Sequence, residues 1–280
     1  MNGTFIISYT PGKYFLQRLN GTTKIILLLS SLCLIMISFD IRILLPIFIL
    51  NFAFLLSIHP KWQQIRGLTY FIIWMNLLNI FLMYLVTPTI GTNVIGHETI
   101  WLRIVGRYVI TPETLFYLGV RLLKVCSMFV SSLWFILSIT PSELGYGLYR
   151  LHVPYKICTV VSLGLRSVPD VLRNYNEIKN SLQMRGLELD SKKTPLLKRL
   201  KQSVSILIPL LLSSFEKVER IADAMDLRLY GINKQRSYYT YQKPTKNDYF
   251  IRSIAIIEFL IIIFYSGLIL FKHIPTIWYP

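Results

Sequence analysis

The sequence predicts an all-α, polytopic membrane protein with about five transmembrane helices and a cytoplasmic domain of long amphipathic helices. Three observations carry this. Hydrophobic residues make up 53% of the 280 and lie in blocks, giving a mean hydropathy of +0.50, too apolar for an ordinary soluble domain. The formal charge is +16, from 30 Lys and Arg against 14 Asp and Glu, and the cations flank the apolar blocks. From about Ser142 to Lys246 the blocks give way to a basic stretch in which apolar residues recur at helical steps.

Taken in order, Ile25–Phe39 and Ile41–Ile58 read as a helical hairpin preceded by Lys13, Arg18 and Lys24. Asp40-Ile41-Arg42 follows the first block where a secretory leader would carry small residues, so this block is expected to stay in the mature chain. Leu68–Val86 is a third span, and its 19 residues just cross a hydrocarbon core of about 30 Å. Residues 87–112 carry Pro88, Gly91, Gly96, Gly106 and Pro112 and read as a loop, with Arg103 and Arg107 expected on a short interfacial helix. Thr111-Pro112-Glu113 is a helix start: a threonine cap, proline at the first position and an acid in the first turn. That helix is expected to run to about Ile139, and the last span is Phe250–Phe271.

The domain reading is therefore a transmembrane region over 1–140 with about four spans, a coupling-helix domain over 141–246, and a C-terminal transmembrane helix over 247–280. The segment 141–250 holds 18 of the 30 cations and 10 of the 14 acids. Five spans with a cytoplasmic N-terminus put this segment, the N-terminal cations and Lys61 with Arg66 on one side, as basic flanks require. Arg121, Lys124 and Glu258 fall within spans, where a charge is costly and functional by default. Under this topology Glu258 and Lys124 lie at different depths, about 12 and 22 Å from the inner end, so they are not expected to pair. Arg121 and Lys124 are expected to snorkel to an interface.

Within the basic stretch, Thr140-Pro141-Ser142-Glu143 ends one helix and starts another, with Ser142 or Thr140 as cap. Pro154 breaks the chain again, and Ser167-Val168-Pro169-Asp170 reads as the start of a striped helix. Its stripe is Val171-x3-Tyr175-x2-Ile178-x3-Leu182-x2-Arg185, and a second stripe is Ser214-x3-Val218-x2-Ile221-x3-Met225-x2-Arg228. Steps of four and three keep each set on one helix face. Gly186 and Gly231 are the terminators. Between the stripes, Leu189 to Lys201 reads as a solvated basic linker. A single arginine in a last turn is explained by the helix dipole alone. Two of them, 43 positions apart and ending matching stripes, point to two matching acceptor pockets on a two-part partner.

Other chemistries find little support. The strong positive charge comes without any nucleic-acid recognition motif, so no nucleic-acid partner is expected. Cys33, Cys126 and Cys158 are far apart, and His59, His97, His152 and His273 lack ligand spacing, so structural roles are expected for all seven and no metal site or cofactor. No G-x-x-x-x-G-K-[ST] occurs, so the chain is not expected to hydrolyse ATP, and no nucleophile–base set marks it as an enzyme.

Several motifs resemble one family along the whole chain: Tyr9-Thr10-Pro11-Gly12, Leu16-Gln17-Arg18-Leu19-Asn20, Thr23-Lys24, Val105-Gly106-Arg107 and Ile139 through Leu144. Leu165-Arg166-Ser167-Val168-Pro169 also matches. Gln183-Met184-Arg185-Gly186 and Ala224 through Gly231 are the most specific. The chain resembles the transmembrane T component of energy-coupling factor transporters, ABC-type importers of vitamins and transition-metal ions. The resemblance implies a multi-pass protein of a bacterial cell membrane, with its N-terminus and coupling domain cytoplasmic. It also implies a lipid bilayer environment and three partners: two ATPase subunits and a membrane S component that carries the vitamin or metal. In that family two x-Arg-x motifs end the coupling helices and dock on the ATPases. Here these are Met184-Arg185-Gly186 and Leu227-Arg228-Leu229. The family commonly has Ala-Arg-Gly at both, so Met184, Leu227 and Leu229 are departures, and the two tips are expected to make unequal contacts. The start motif departs too, with Asn20-Gly21-Thr22 where Asp-Pro-Arg is common.

The reading from another class is a membrane-embedded enzyme acting on a lipid or isoprenoid phosphate, with Asp223 and Asp226 holding a metal. It lacks the second acidic motif such chemistry uses. The pair is expected to be solvated on a wet helix face.

Overall fold

A computed structural model describes residues 15–60, 62–95, 102–105, 108–186, 196–232, 237–238 and 243–270. The chain forms two compact units, one of Met1–Glu143 with Gln242–Pro280 and one of Leu144–Tyr241.

In the first unit a short 3-10 turn, Leu16–Arg18, precedes α1 (Gly21–Ile37). Then come α2 (Ile41–Ser57), α3 (Trp62–Val86), α4 (Ile90–Ile95) and α5 (Pro112–Ser138), with α9 (Lys246–Leu270) returning from the far end of the chain. Ile65–Val86, α5 and α9 are long and apolar enough to cross a membrane. The helices α1 and α2 are apolar but have 17 residues each, about 25 Å of rise. α1 packs on α9 and α5, and α2 packs on α5. The core lies between them, from Leu27, Trp134, Ile251 and Ala255 at one end to Leu34, Leu44, Val120 and Ile262 at the other.

Small polar residues tie these helices at fixed heights. Ser31 Oγ and Ser131 Oγ are 2.9 Å apart, and Asn51 Oδ1 accepts the Trp134 indole N–H at 2.8 Å. Such bonds between apolar helices are individually modest but fix register. By contrast α3 leaves nearly all of its span exposed.

The expected start of α5 is present: Thr111 Oγ1 accepts the Thr114 N–H at 3.4 Å, with Pro112 first and Glu113 in the first turn. The expected loop over 87–112 needs correction. It holds α4 and an antiparallel ribbon of β1 (Leu102–Val105) and β2 (Tyr108–Ile110), so Arg103 lies on a strand rather than an interfacial helix. Arg107 lies outside the described residues. The Leu-Arg-Ile-Val and Tyr-Val-Ile runs carry the β-branched and aromatic residues that suit a ribbon. Gly91 lets α4 approach α5, since an added Cβ would collide with the Thr114 backbone.

Lys124 reaches the end of α1. Its side chain is buried, its Nζ donates to the Met36 carbonyl at 2.7 Å, and it sits 3.5 Å over the Phe39 ring. The ammonium thus closes an otherwise unpaired carbonyl in the last turn of α1, where the helix dipole is negative, and gains a cation–π contact. Glu258 does not meet it. Glu258 bonds Ser30, six residues and about 9 Å earlier on α1.

The second unit contains most of α6 (Pro141–Arg150), with α7 (Tyr155–Met184) and α8 (Leu196–Leu227). α6 ends in a complete left-handed stop: His152 has φ 66°, Val153 N–H bonds the Leu148 carbonyl at 3.2 Å, and Pro154 follows. His59, φ 48°, is also left-handed after α2, but the next residue, Pro60, has no N–H to make the longer bond. The three cysteines are free.

Two helix boundaries differ from expectation. The first striped helix does not start at Ser167, because α7 is continuous from Tyr155 through Pro169. Ser167 Oγ donates to the Gly164 carbonyl at 2.8 Å, and the proline leaves the next carbonyl, that of Leu165, without its backbone donor. The expected solvated linker is cut short as well, since α8 already begins at Leu196.

Candidate functional site

The two arginine motifs fold into equivalent helix ends. In the first, α7 stops at Met184, the Gly186 N–H bonds the Gln183 carbonyl at 3.0 Å, and Gly186 has φ 87°. In the second, α8 stops at Leu227, Leu229 N–H bonds the Asp226 carbonyl at 2.9 Å, and Tyr230 N–H reaches back to the Met225 carbonyl at 2.9 Å. Leu229 has φ 56°. Each arginine is thus the cap residue, followed by a residue in the left-handed conformation. Arg185 and Arg228 are both exposed.

The chemistry around the two arginines differs. Met184 is 88% exposed, and Leu227 and Leu229 are 86% and 68% exposed. The first tip therefore offers one apolar residue and a bare glycine, and the second offers two leucines. A leucine in the left-handed region costs about 1 kcal/mol that glycine would not. Packing within the described chain does not offset this, given its exposure. Leu229→Gly is therefore expected to stabilise the end of α8 by about 1 kcal/mol. Amide exchange at Leu227 to Tyr230 would slow about fivefold, and no change would mean the turn carries no strain.

The tips sit at opposite ends of a helix pair. α7 and α8 run antiparallel: Asp170 Oδ2 accepts from Lys217 Nζ at 2.7 Å, and Tyr155 at the start of α7 meets Tyr230 with ring centroids 5.8 Å apart. Tyr155 Oη also lies 3.5 Å from the Gly231 carbonyl. The second tip is thus held beside the first residue of α7, whereas Arg185 lies 30 residues along that helix, about 45 Å away by rise. The hydrogen-bonded Lys217 ammonium holds the Asp170 carboxyl below the usual carboxylate range. The stripe residues Ile221, Met225 and Arg228, with Leu163 of α7, line an open hollow of about 490 Å³. Much of the apolar face of both helices is bare, including Val160 on α7 and Leu211, Phe215 and Val218 on α8. Asp223 and Asp226 are exposed, and no cluster of His, Cys, Asp or Glu able to hold a metal gathers among the described residues.

A second constellation, in the first unit, escapes any reading of spacing. Lys24 is fully buried, and its Nζ donates to the Ser138 carbonyl at 2.7 Å, Glu143 Oε2 at 3.0 Å and the Gln17 carbonyl at 3.2 Å. Glu143 and Thr140 form a capping box: Glu143 N–H donates to Thr140 Oγ1, and Thr140 N–H donates to Glu143 Oε2, both at 3.2 Å. Thr140, not Ser142, is the cap. Gly21 permits this closeness, since an added Cβ would collide with the Glu143 carbonyl. On the other side of the α1 start, Asp248 accepts the Asn20 N–H at 2.9 Å and the Thr245 N–H at 2.9 Å, and Arg252 Nε donates to Thr23 Oγ1 at 3.0 Å. The ends of α1, α5, α6 and α9 are thus tied by one polar cluster. Thr140-x-x-Glu143 and Thr245-x-x-Asp248 were the available signals, but only as local caps.

A unit of apolar helices, three of them long and apolar enough to cross a membrane, is joined in sequence to a unit of long helices with exposed arginine ends, as in a multi-pass membrane protein. The family model CbiQ, described as cobalt transport protein, matches residues 12–239. The chain is 25% identical over 249 residues to the energy-coupling factor transporter transmembrane protein EcfT of Bacillus subtilis (strain 168), covering 85% of this chain and 89% of that protein. It is 27% identical over 286 residues to EcfT of Staphylococcus aureus (strain 04-02981), covering 95% and 99%. It is 26% identical over 260 residues to EcfT of Lactococcus lactis subsp. cremoris (strain MG1363), covering 91% and 95%. The chain belongs to the cobalt transport protein family and is a transmembrane T component of the energy-coupling factor type.

Proposed function

We propose that this chain is the non-catalytic energy-coupling subunit of an importer for a vitamin or a transition-metal ion. Two ATPase subunits each take one arginine tip, Met184-Arg185-Gly186 or Leu227-Arg228-Leu229. Their ATP-driven closure moves the tips, and α7 and α8 pass the motion to a small membrane S component that carries the substrate. The observation that carries the reading is the equivalence of the two tips, both exposed and both with arginine as cap residue. An exposed, pre-formed guanidinium fork suits a carboxylate or carbonyl acceptor on a partner. The bare apolar faces of Val153–Leu165 and Val204–Leu212 are the surfaces for the S component. The topology is five spans with the N-terminus, the coupling domain (141–246) and the polar cluster at Lys24 cytoplasmic, as the basic flanks favour. The short α1 and α2 span by local thinning of the bilayer.

Purifying the full chain with its native membrane partners in mild detergent tests this. Two different proteins carrying the G-x-x-x-x-G-K-[ST] phosphate loop, and one small polytopic protein, are expected to come with it. Recovery without any phosphate-loop protein would overturn the reading.

A further inference from the structure

Glu258, in the middle of α9, faces few polar groups. Its side chain is 5% exposed. Oε2 lies 2.5 Å from Ser30 Oγ on α1, and Oε1 is buried with no hydrogen-bond partner among the described residues. Ser30 Oγ also lies 3.0 Å from the Leu27 carbonyl oxygen. A serine has one hydroxyl hydrogen and a carbonyl oxygen can only accept, so Ser30 alone cannot supply the hydrogen for both contacts. A neutral Glu258 that donates to Ser30 gives both contacts a hydrogen, whereas a carboxylate leaves one of them without.

The charges nearby lead to the same assignment. Of the ionised groups on or beside α1, α5 and α9, Lys24 is engaged with Glu143, Arg252 with Thr23, Asp248 with Asn20 and Thr245, Lys124 with the Met36 carbonyl, and Asp40 with Tyr265, while Lys246 lies at the start of α9 and Arg121 and Glu113 on α5 form no ion pair with Glu258. No cation among the described residues forms an ion pair with Glu258. A carboxylate here would be an unpaired charge among apolar helices with one oxygen unsolvated, the costliest state for a buried acid. A neutral acid leaves only a carbonyl oxygen unpaired.

We propose that Glu258 is a proton-binding site in the core of the first unit, occupied at neutral pH. The neutral acid donates its O–H to Ser30, which donates to the Leu27 carbonyl, so one hydrogen-bonded chain fastens α9 to α1. This is independent of how the tips dock.

Infrared spectroscopy of the full chain in lipid nanodiscs at neutral pH tests it. The expected result is a carbonyl stretch of a protonated carboxylic acid that disappears completely in Glu258→Gln. Ser30→Ala is expected to keep that band but move it to higher frequency, because the hydrogen bond to Ser30 is lost. Glu258→Gln should melt with wild type, while Glu258→Ala melts lower. An identical spectrum for wild type and Glu258→Gln in the acid carbonyl region would overturn the proposal. So would a band in wild type that Ser30→Ala leaves unmoved, or a Glu258→Gln variant as unstable as Glu258→Ala.

Discussion

Arg185→Glu combined with Arg228→Glu is expected to abolish uptake and to release both ATPases from the purified chain. Each arginine is a cap residue with a bare guanidinium, so reversal leaves the helix ends in place and changes only what a partner meets. Losing one partner of a buried charged contact commonly costs about 2–5 kcal/mol, much of it from the group left unpaired. Two such losses on one assembly amount to a factor of roughly a thousand or more in retention. The single variants should differ. Arg228 is flanked by two exposed leucines that, under the proposed docking, would hold part of the contact, so Arg228→Glu should retain more of its ATPase than Arg185→Glu, which is followed by glycine. Co-purification followed by quantitative staining reads all three variants. Normal yield of both ATPases with the double variant would remove the docking assignment.

Lys24→Met is the second large effect, acting on stability. The change removes a fully buried ammonium with three acceptors. The Ser138 carbonyl, at the unpaired end of α5, loses a donor, and Glu143 loses its counter-charge while still capping α6. Breaking a buried pair by removing one partner costs about 3–5 kcal/mol, and Glu143 is a quarter exposed, so about 3 kcal/mol is expected. Melting in detergent should fall by several degrees. Glu143→Gln alone should also destabilise, since it strands a buried cation. The double variant should lose less than the sum of the two, because each single change creates the unpaired group that the other removes. Strict additivity would show that the two residues act separately.

The sequence made local signals legible and left their distant partners hidden. Threonine, proline and acid in three consecutive positions specify the start of α5 from neighbours alone, and the structure agrees. The arginine tips were visible because helical spacing and a following stop are also local. That Leu229 occupies the conformation of Gly186 was not, since leucine carries no such preference. Ser-Val-Pro-Asp imitates a helix start, and only the continuity of α7 on both sides overrides it. The fate of each buried charge depended on an atom far away in the chain. Lys124 ends on Met36, 88 positions back; Lys24 ends on Glu143, 119 positions on; Glu258 ends on Ser30, 228 positions back. Periodicity and flanking charge contain none of this. The ribbon at 102–110 was missed because glycine and proline punctuation around it reads as a loop.

The Lys217–Asp170 bond stands 15 residues from Tyr155 and 15 from Arg185, at the midpoint of α7 and next to Pro169. Under the proposed function this makes α7 a balance beam. Its arms are equal, about 22 Å each. One end is pinned against the second tip and the other is the first tip, so equal and opposite pushes from two ATPases turn the beam without displacing its fulcrum. A push from one side alone would shift the whole pair instead. Rotation at the membrane surface would then report only the concerted closure of both ATPases.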